Sequence, residues 1–342
     1  MKLSKKNLLW AGVILGCLLL WAVVSRKERQ GKYTETRYMM GTYVQMDTCA
    51  AQLSSLDIQE IYKRVWDRLE DIAWRMNVFD ERSDVAKINQ AYEQPAEVGA
   101  DTYKVIQEAI RFNQLTRGAF DITIWPLVRL WKESAQKNVY PAPEEVAQVK
   151  RAIGPHTILL FERHNIQLTN PTTKVDLGGI AAGYAIDEAA RIFRENGVQS
   201  FFIDAGGDIY AGGNNCQHQP WRVGIRDPKN RDQFIAIVLL KDASVTTSGN
   251  YEKYFEIRGK RFSHILNPMT GYPQEGVISA TAIAPTGLEA DVLATALTVL
   301  GREEGTGLMD QMGASYAGLI VEEKEGKIEQ SPSLKFEEFR LK

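Results

Sequence analysis

The chain has 342 residues, 44% hydrophobic and 25% charged, with 41 Lys and Arg against 43 Asp and Glu for a formal net charge of -2. These values lie near the averages of folded globular proteins and exclude a disordered, collagen-like or polytopic membrane chain. The near-neutral balance also excludes a protein that holds nucleic acid by a concentrated basic face, while leaving small anionic ligands open.

At the N-terminus Lys2, Lys5 and Lys6 precede an uncharged apolar run from Leu8 to Val24. That is the pattern of an export signal, or of a membrane anchor at the short end of the spanning range. Ile14-Leu15-Gly16-Cys17 resembles a lipobox, after which Cys17 would be lipidated, whereas the apolar residues Leu18 to Val24 favour an uncleaved anchor. Both readings place the rest of the chain outside the cytoplasm, on the periplasmic side of the inner membrane. There Cys49 and Cys216 would face an oxidising space, and sequence alone leaves open whether they pair. Ser25 to Lys32 turns polar and reads as a tether, so the expected division is 1–32, signal or anchor with tether, and 33–342, the folded part.

Leu56 to Ile72 carries an amphipathic stripe (Ile58, Ile61, Tyr62, Val65, Leu69, Ile72) and is expected to be helical. The same spacing predicts helices over Thr102 to Leu115, Ile180 to Glu195 and Asp291 to Leu300, the last stopping at Gly301. Strands are expected at Ser200 to Ile203, Phe234 to Leu240 and Ile278 to Ala284, which are β-branched or aromatic and bounded by turn formers. The elements mix without a strict βαβ rhythm, so the class is α+β, with a doubly wound sheet as the runner-up.

Three cysteines without a CxxC pair, and four histidines without zinc spacing, argue against a thiolate or imidazole metal centre. Any metal is expected to be hard and oxygen-bound. Asp291 and Thr295, four apart in an apolar segment, put a carboxylate and a hydroxyl on one helical face, as a magnesium site requires; a dipole-stabilising Asp and a Thr bonded back to its own helix would look the same. Two glycine segments read as anion loops or as ordinary turns: Asp176-Leu177-Gly178-Gly179-Ile180, which leads into a helix, and Asp204-Ala205-Gly206-Gly207-Asp208. His264, ahead of Asn267-Pro268-Met269-Thr270-Gly271, reads as a proton acceptor or as a structural residue at a strand end. Ser244 to Asn250 reads as a hydroxyl-rich turn of the kind that lines a polar pocket.

The order of these segments, together with Met40-Gly41-Thr42, Met76-Asn77-Val78-Phe79 and Gly118-Ala119-Phe120-Asp121, resembles the ApbE family, the FAD:protein FMN transferases, over about residues 33 to 330. The resemblance implies a single α+β domain with mixed sheets and a smaller helical lobe. It implies a magnesium-dependent enzyme that splits FAD and passes FMN to a Thr or Ser hydroxyl of another protein, releasing AMP. The alternatives are an FAD pyrophosphatase, with water as acceptor, and a non-catalytic flavin-binding protein. By resemblance FAD meets Met40, Phe79, Ala119, Phe120, Asp121, Asp176, Ala182 and Ile265. Gly179, Asp291 and Thr295, with Ala294 beside them, hold Mg2+, and His264 deprotonates the acceptor. The acceptors implied are subunits of membrane redox complexes, NADH:quinone oxidoreductase or Rnf type. Two departures, Phe79 where the family often has Tyr and Ala182 where it often has Lys or Glu, bear on the balance between transfer and hydrolysis.

Overall fold

Helices and strands form where their periods place apolar side chains on one face, and here three such sets close three cores. A computed structural model of the chain describes residues 31–230, 232–250, 254–324 and 326–342. The expected signal or anchor, including Cys17, lies outside the described residues, and among these no helix is long and apolar enough to cross a membrane.

The strands in chain order are β1 (Lys32–Met39), β2 (Thr42–Cys49), β3 (Ala96–Glu97), β4 (Ile158–Phe161), β5 (Asn165–Leu168), β6 (Phe201–Ala205), β7 (Asp208–Gly212), β8 (Trp221–Arg226), β9 (Phe234–Leu240), β10 (Ala243–Gly249), β11 (Tyr254–Ile257), β12 (Lys260–Ser263), β13 (Val277–Ala284), β14 (Ala317–Lys324) and β15 (Lys327–Pro332). The helices are α1 (Ser55–Arg75), α2 (Asp84–Gln90), α3 (Ala100–Leu115), α4 (Trp125–Lys137), α5 (Pro143–Lys150), α6 (Ala181–Glu195), α7 (Gly287–Met312) and α8 (Phe336–Phe339).

The central sheet has eight strands in the order β1-β2-β6-β7-β10-β13-β14-β15. Each of its ladders is antiparallel, so the doubly wound alternative is not the fold. One face carries Met46, Phe201, Ile203, Ala280, Ala282 and Ile320 against α1, α6 and α7, whose Trp66, Phe193, Leu293 and Leu297 are fully buried or nearly so. The residues of opposite parity, Ile283, Leu319 and Val321, meet Val223, Ile225, Val238 and Leu240 of the β8–β9 hairpin in a second core. A smaller third core joins Leu127 and Trp131 of α4, Val146 of α5, and Ile257, Phe262 and Leu266 around the β11–β12 hairpin. Trp131 Nε1 ties it together by donating to the Gly271 carbonyl at 2.9 Å.

Helix α1 starts at a capping box in which Ser54 and Asp57 satisfy each other's backbone N–H groups, and it buries the stripe read from its sequence. Helix α7 differs from its expected span. It begins at Gly287, where the Thr286 hydroxyl accepts from Glu289 N at 3.2 Å, breaks at Gly301 (φ 68°) and resumes to Met312. Ser244 to Gly249, expected as a turn, is a strand paired with Ala284 to Ser279. The β-branched run Val245-Thr246-Thr247 suits a buried pleated surface better than a turn. Cys49, at the end of β2, and Cys216, beyond β7, form a disulfide across a sequence separation of 167.

Candidate active site

Two helix starts meet at the centre of the molecule. A Cβ on Gly183 of α6 would sit 2.3 Å from the Gly287 carbonyl oxygen, and one on Gly287 would sit 2.6 Å from the Gly183 carbonyl, so glycine at both positions sets how closely α6 and α7 approach. Each helix supplies a carboxylate to the other's orphan amides. Asp187 accepts from Gly287 N (2.6 Å) and Leu288 N (2.9 Å), and Asp291 accepts from Gly183 N (3.2 Å). Burial pushes Asp187 up to about 6. Burial, then the charge of Asp208, holds Asp291 well above the usual carboxylate range.

Around this crossing lies a cavity of about 410 Å³ between the third core and the end of the sheet. Of the residues singled out in the sequence, Ala119, Phe120, Asp121, Asp176, Gly179, His264, Ile265, Asp291 and Thr295 line it. Their segments are held from behind. Asn113 donates to the Phe120 carbonyl (2.8 Å) and to Asp121 (3.1 Å), and burial raises the pKa of the Asp121 carboxyl. Asn89 clamps both backbone groups of Val175, fixing Asp176 beside it, and Gly178 N donates to Asp176 at 2.9 Å. His264 follows the last residue of β12, and the turn after it is closed by Asn267, whose side chain accepts from Met269 N and Thr270 N.

The other expected residues stand outside the lining. Ala294 is fully buried and its carbonyl accepts from the Thr298 hydroxyl at 3.0 Å, so it backs the helix face rather than presenting a donor. Ala182 lies half-buried in the first turn of α6. Phe79 is 76% exposed, its ring edge-on to Trp125 beside the lining residue Ile124. Met40 occupies the left-handed turn between β1 and β2 (φ 50°); two residues on, Thr42 lies 2.2 Å from where a Cβ on Gly206 of the lining would be.

Sequence reasoning missed Asp208 and Thr246 as site residues. Asp208 opens β7 and lines the cavity near Asp291. Thr246 is 3% exposed, and its hydroxyl has no hydrogen-bond partner although the residue lines the cavity. The second glycine pair and the hydroxyl-rich run signalled both segments, but which side chains turn inward depended on the strand register.

Among the described residues no three His, Cys, Asp or Glu side chains converge as a metal centre. The wall nevertheless holds four carboxylates, Asp121, Asp176, Asp208 and Asp291. A buried carboxylate raised by a second one suits a hard cation, which would offset both the burial and the repulsion, and the Thr295 hydroxyl and Gly179 backbone lie in the same wall.

The ApbE family profile matches residues 40–319, which includes all the lining residues. The chain belongs to the ApbE family. It is 34% identical to the FAD:protein FMN transferase of Haemophilus influenzae over 275 residues, 78% of this chain and 79% of the relative. To the FAD:protein FMN transferase of Salmonella typhimurium it is 33% identical, with 81% of each chain covered. Among solved ApbE structures, the ApbE protein of Thermotoga maritima superposes with a TM-score of 0.80 at 33% identity, covering 91% of this chain and 100% of that one. The flavin transferase ApbE of Vibrio cholerae gives 0.79 at 28% identity, with 90% and 99% covered.

Proposed function

We propose that this chain is an FAD:protein FMN transferase whose reaction occurs in the cavity at the α6–α7 crossing. The observation that carries the reading is convergence: Ala119 to Asp121, Asp176 to Gly179, His264, Asp291 and Thr295, scattered over the sequence, form one wall. In the reaction a Ser or Thr hydroxyl oxygen of an acceptor protein bonds to the flavin-side phosphorus of FAD. The bond from that phosphorus to the bridging oxygen breaks, AMP leaves with that oxygen, and the hydroxyl proton is released.

Each set of residues has a part. Ala119 to Asp121 and Asp176 border the nucleotide, and the Gly178-Gly179 backbone leaves room for a diphosphate beside the start of α6. His264, in the same wall, takes the hydroxyl proton; placement of the hydroxyl against the phosphorus supplies the remainder of the rate. Asp291, Thr295 and the Gly179 carbonyl would hold Mg2+, which when bound neutralises diphosphate charge. The four aspartates of the wall support that assignment, because a bound cation would offset their repulsion of an anionic substrate.

The chain's setting belongs to the same reading. Residues 1–32 anchor it, by an uncleaved signal anchor or a lipidated Cys17, to the periplasmic side of the inner membrane, and 33–342 form the catalytic domain, in which the third core is the smaller lobe. The Cys49–Cys216 disulfide supports an oxidising compartment. Acceptors there would be subunits of membrane redox complexes of the NADH:quinone oxidoreductase or Rnf type.

The test is incubation of the protein with FAD, Mg2+ and a candidate acceptor. Flavin covalent on the acceptor with AMP released is the expected result; free FMN with AMP would make it a pyrophosphatase, and unchanged FAD a binding protein. His264→Ala should lower single-turnover transfer by about 10²–10⁴-fold while FAD affinity, read by fluorescence quenching, stays within about twofold. Transfer within about threefold of the parent would remove His264 from the mechanism.

A further inference from the structure

A second groove, of about 590 Å³, runs along the outer face of the sheet beside the β8–β9 hairpin, and it shares Gly206 and Thr247 with the reaction cavity. The common lip exists because β10 outruns one neighbour. β7 pairs with Ala243 to Val245 only, whereas β13 follows β10 to Gly249. Thr246 to Gly249 therefore pass the Gly206-Gly207 turn at the end of the β6–β7 hairpin, and the notch left there connects the two faces of the sheet.

The groove wall has the composition of a polypeptide-binding surface. Arg222 and Arg226 lie on one side of β8, four residues apart and so about 13 Å along an extended chain. Both are exposed, and neither side chain makes an ion pair or hydrogen bond among the described residues. Elsewhere Arg68, Arg75, Arg191, Arg194, Arg302 and Arg340 are each paired with a carboxylate. Tyr43 (68% exposed) and Phe234 (58% exposed) complete the rim, and exposed arginine beside aromatic rings is the make-up of interface anchors. A hydroxyl that is part of a protein reaches a 410 Å³ cavity only if the chain on either side of it lies outside, and this groove opens directly onto that cavity.

We propose that the groove seats the acceptor polypeptide as an extended segment. Acidic side chains about four residues apart meet Arg222 and Arg226, and the acceptor hydroxyl passes the Gly206–Thr247 lip to reach His264. The proposal rests on the transferase reading above.

The test uses the full chain and fluorescein-labelled peptides of about 15 residues, long enough as a strand to span the groove (about 50 Å extended). Each carries one Thr and, on one side of it, two Glu, two Gln or two Lys four apart. Binding is read by anisotropy at low salt, flavin transfer by mass spectrometry, and AMP release separately. The parent should bind the Glu peptide at least about tenfold more tightly than the Lys peptide, and R222E/R226E should reverse that order with FAD affinity unchanged. If the double variant folds poorly, R222Q and R226Q should each reduce the preference by severalfold. Equal binding of the Glu and Lys peptides to the parent, or a preference that survives the substitutions, overturns the groove and leaves the transferase reading standing. Arginine-dependent binding together with AMP release, but no flavin on any peptide or candidate acceptor protein, keeps the groove and overturns the transferase reading.

Discussion

Replacing Thr246 by valine separates the demands of the empty cavity from those of the filled one. The hydroxyl is buried without a partner, and such a group costs about 1–3 kcal/mol of folding stability, whereas a methyl group of nearly the same shape costs nothing comparable. Unfolding entropy near the melting point is about 2.1 cal/mol/K per residue, or roughly 0.65 kcal/mol/K for the folded part. Thr246→Val should therefore melt about 1.5–4.5 °C higher than the parent without ligand. With FAD that advantage shrinks, because the residue lines the cavity and its hydroxyl gains a partner from the ligand; losing one such bond, worth about 0.5–1.5 kcal/mol, should weaken binding by up to about 13-fold. Differential scanning fluorimetry with and without saturating FAD, together with quenching titrations, reads both effects. A variant that melts lower than the parent and binds FAD within about twofold would show that the hydroxyl serves the fold, and would refute the argument.

Asp291→Asn should abolish the rise in melting temperature that Mg2+ produces in the presence of FAD, with folding retained because the amide oxygen still accepts from Gly183 N; an undiminished rise would remove Asp291 from the cation site. Breaking the disulfide by Cys49→Ser with Cys216→Ser frees a loop closed over a separation of 167 residues, worth up to about 5 kcal/mol in the chain-entropy account, so the melting temperature should fall by about 5 °C or more; a change under about 1 °C would contradict it. Asp187, with a folded pKa of about 6 against an ordinary 3.8, binds more protons folded than unfolded between those values. Stability should fall by about 3 kcal/mol as pH rises from about 4 to about 6 and then level off, and Asp187→Asn should flatten that slope in chemical-denaturation curves; an identical slope in the variant would assign it elsewhere.

Much of the fold was legible because single elements bury single faces. The stripe from Ile58 to Ile72 predicted α1, and the β-branched run from Phe234 to Leu240 gave β9 at its observed ends. What stayed hidden depends on contacts distant in sequence. β10 is buried on both faces, between α7 and the β8–β9 hairpin, so its Ser and Thr residues showed no alternation and looked like a turn. The start of α7 was set by Thr286 and by Asp187 of another helix, which no local spacing shows. At the site, the residue types named the chemistry of Asp291, Thr295 and His264. The inward turn of Asp208 and Thr246 depended on register, and Ala294, one residue from a lining position, faces the core.

The acidic wall also bears on how the reaction ends. FAD enters with about two negative charges on its diphosphate; after transfer the flavin keeps about one on its new phosphodiester, while AMP carries nearly two on a terminal phosphate. Among the described residues the cavity wall brings four aspartates, Asp121, Asp176, Asp208 and Asp291, to the nucleotide. Severing the diphosphate thus turns a tethered nucleotide half into a more highly charged, untethered one. The nucleotide half then has no covalent tie to the cavity, whereas the flavin leaves only with the polypeptide that carries it.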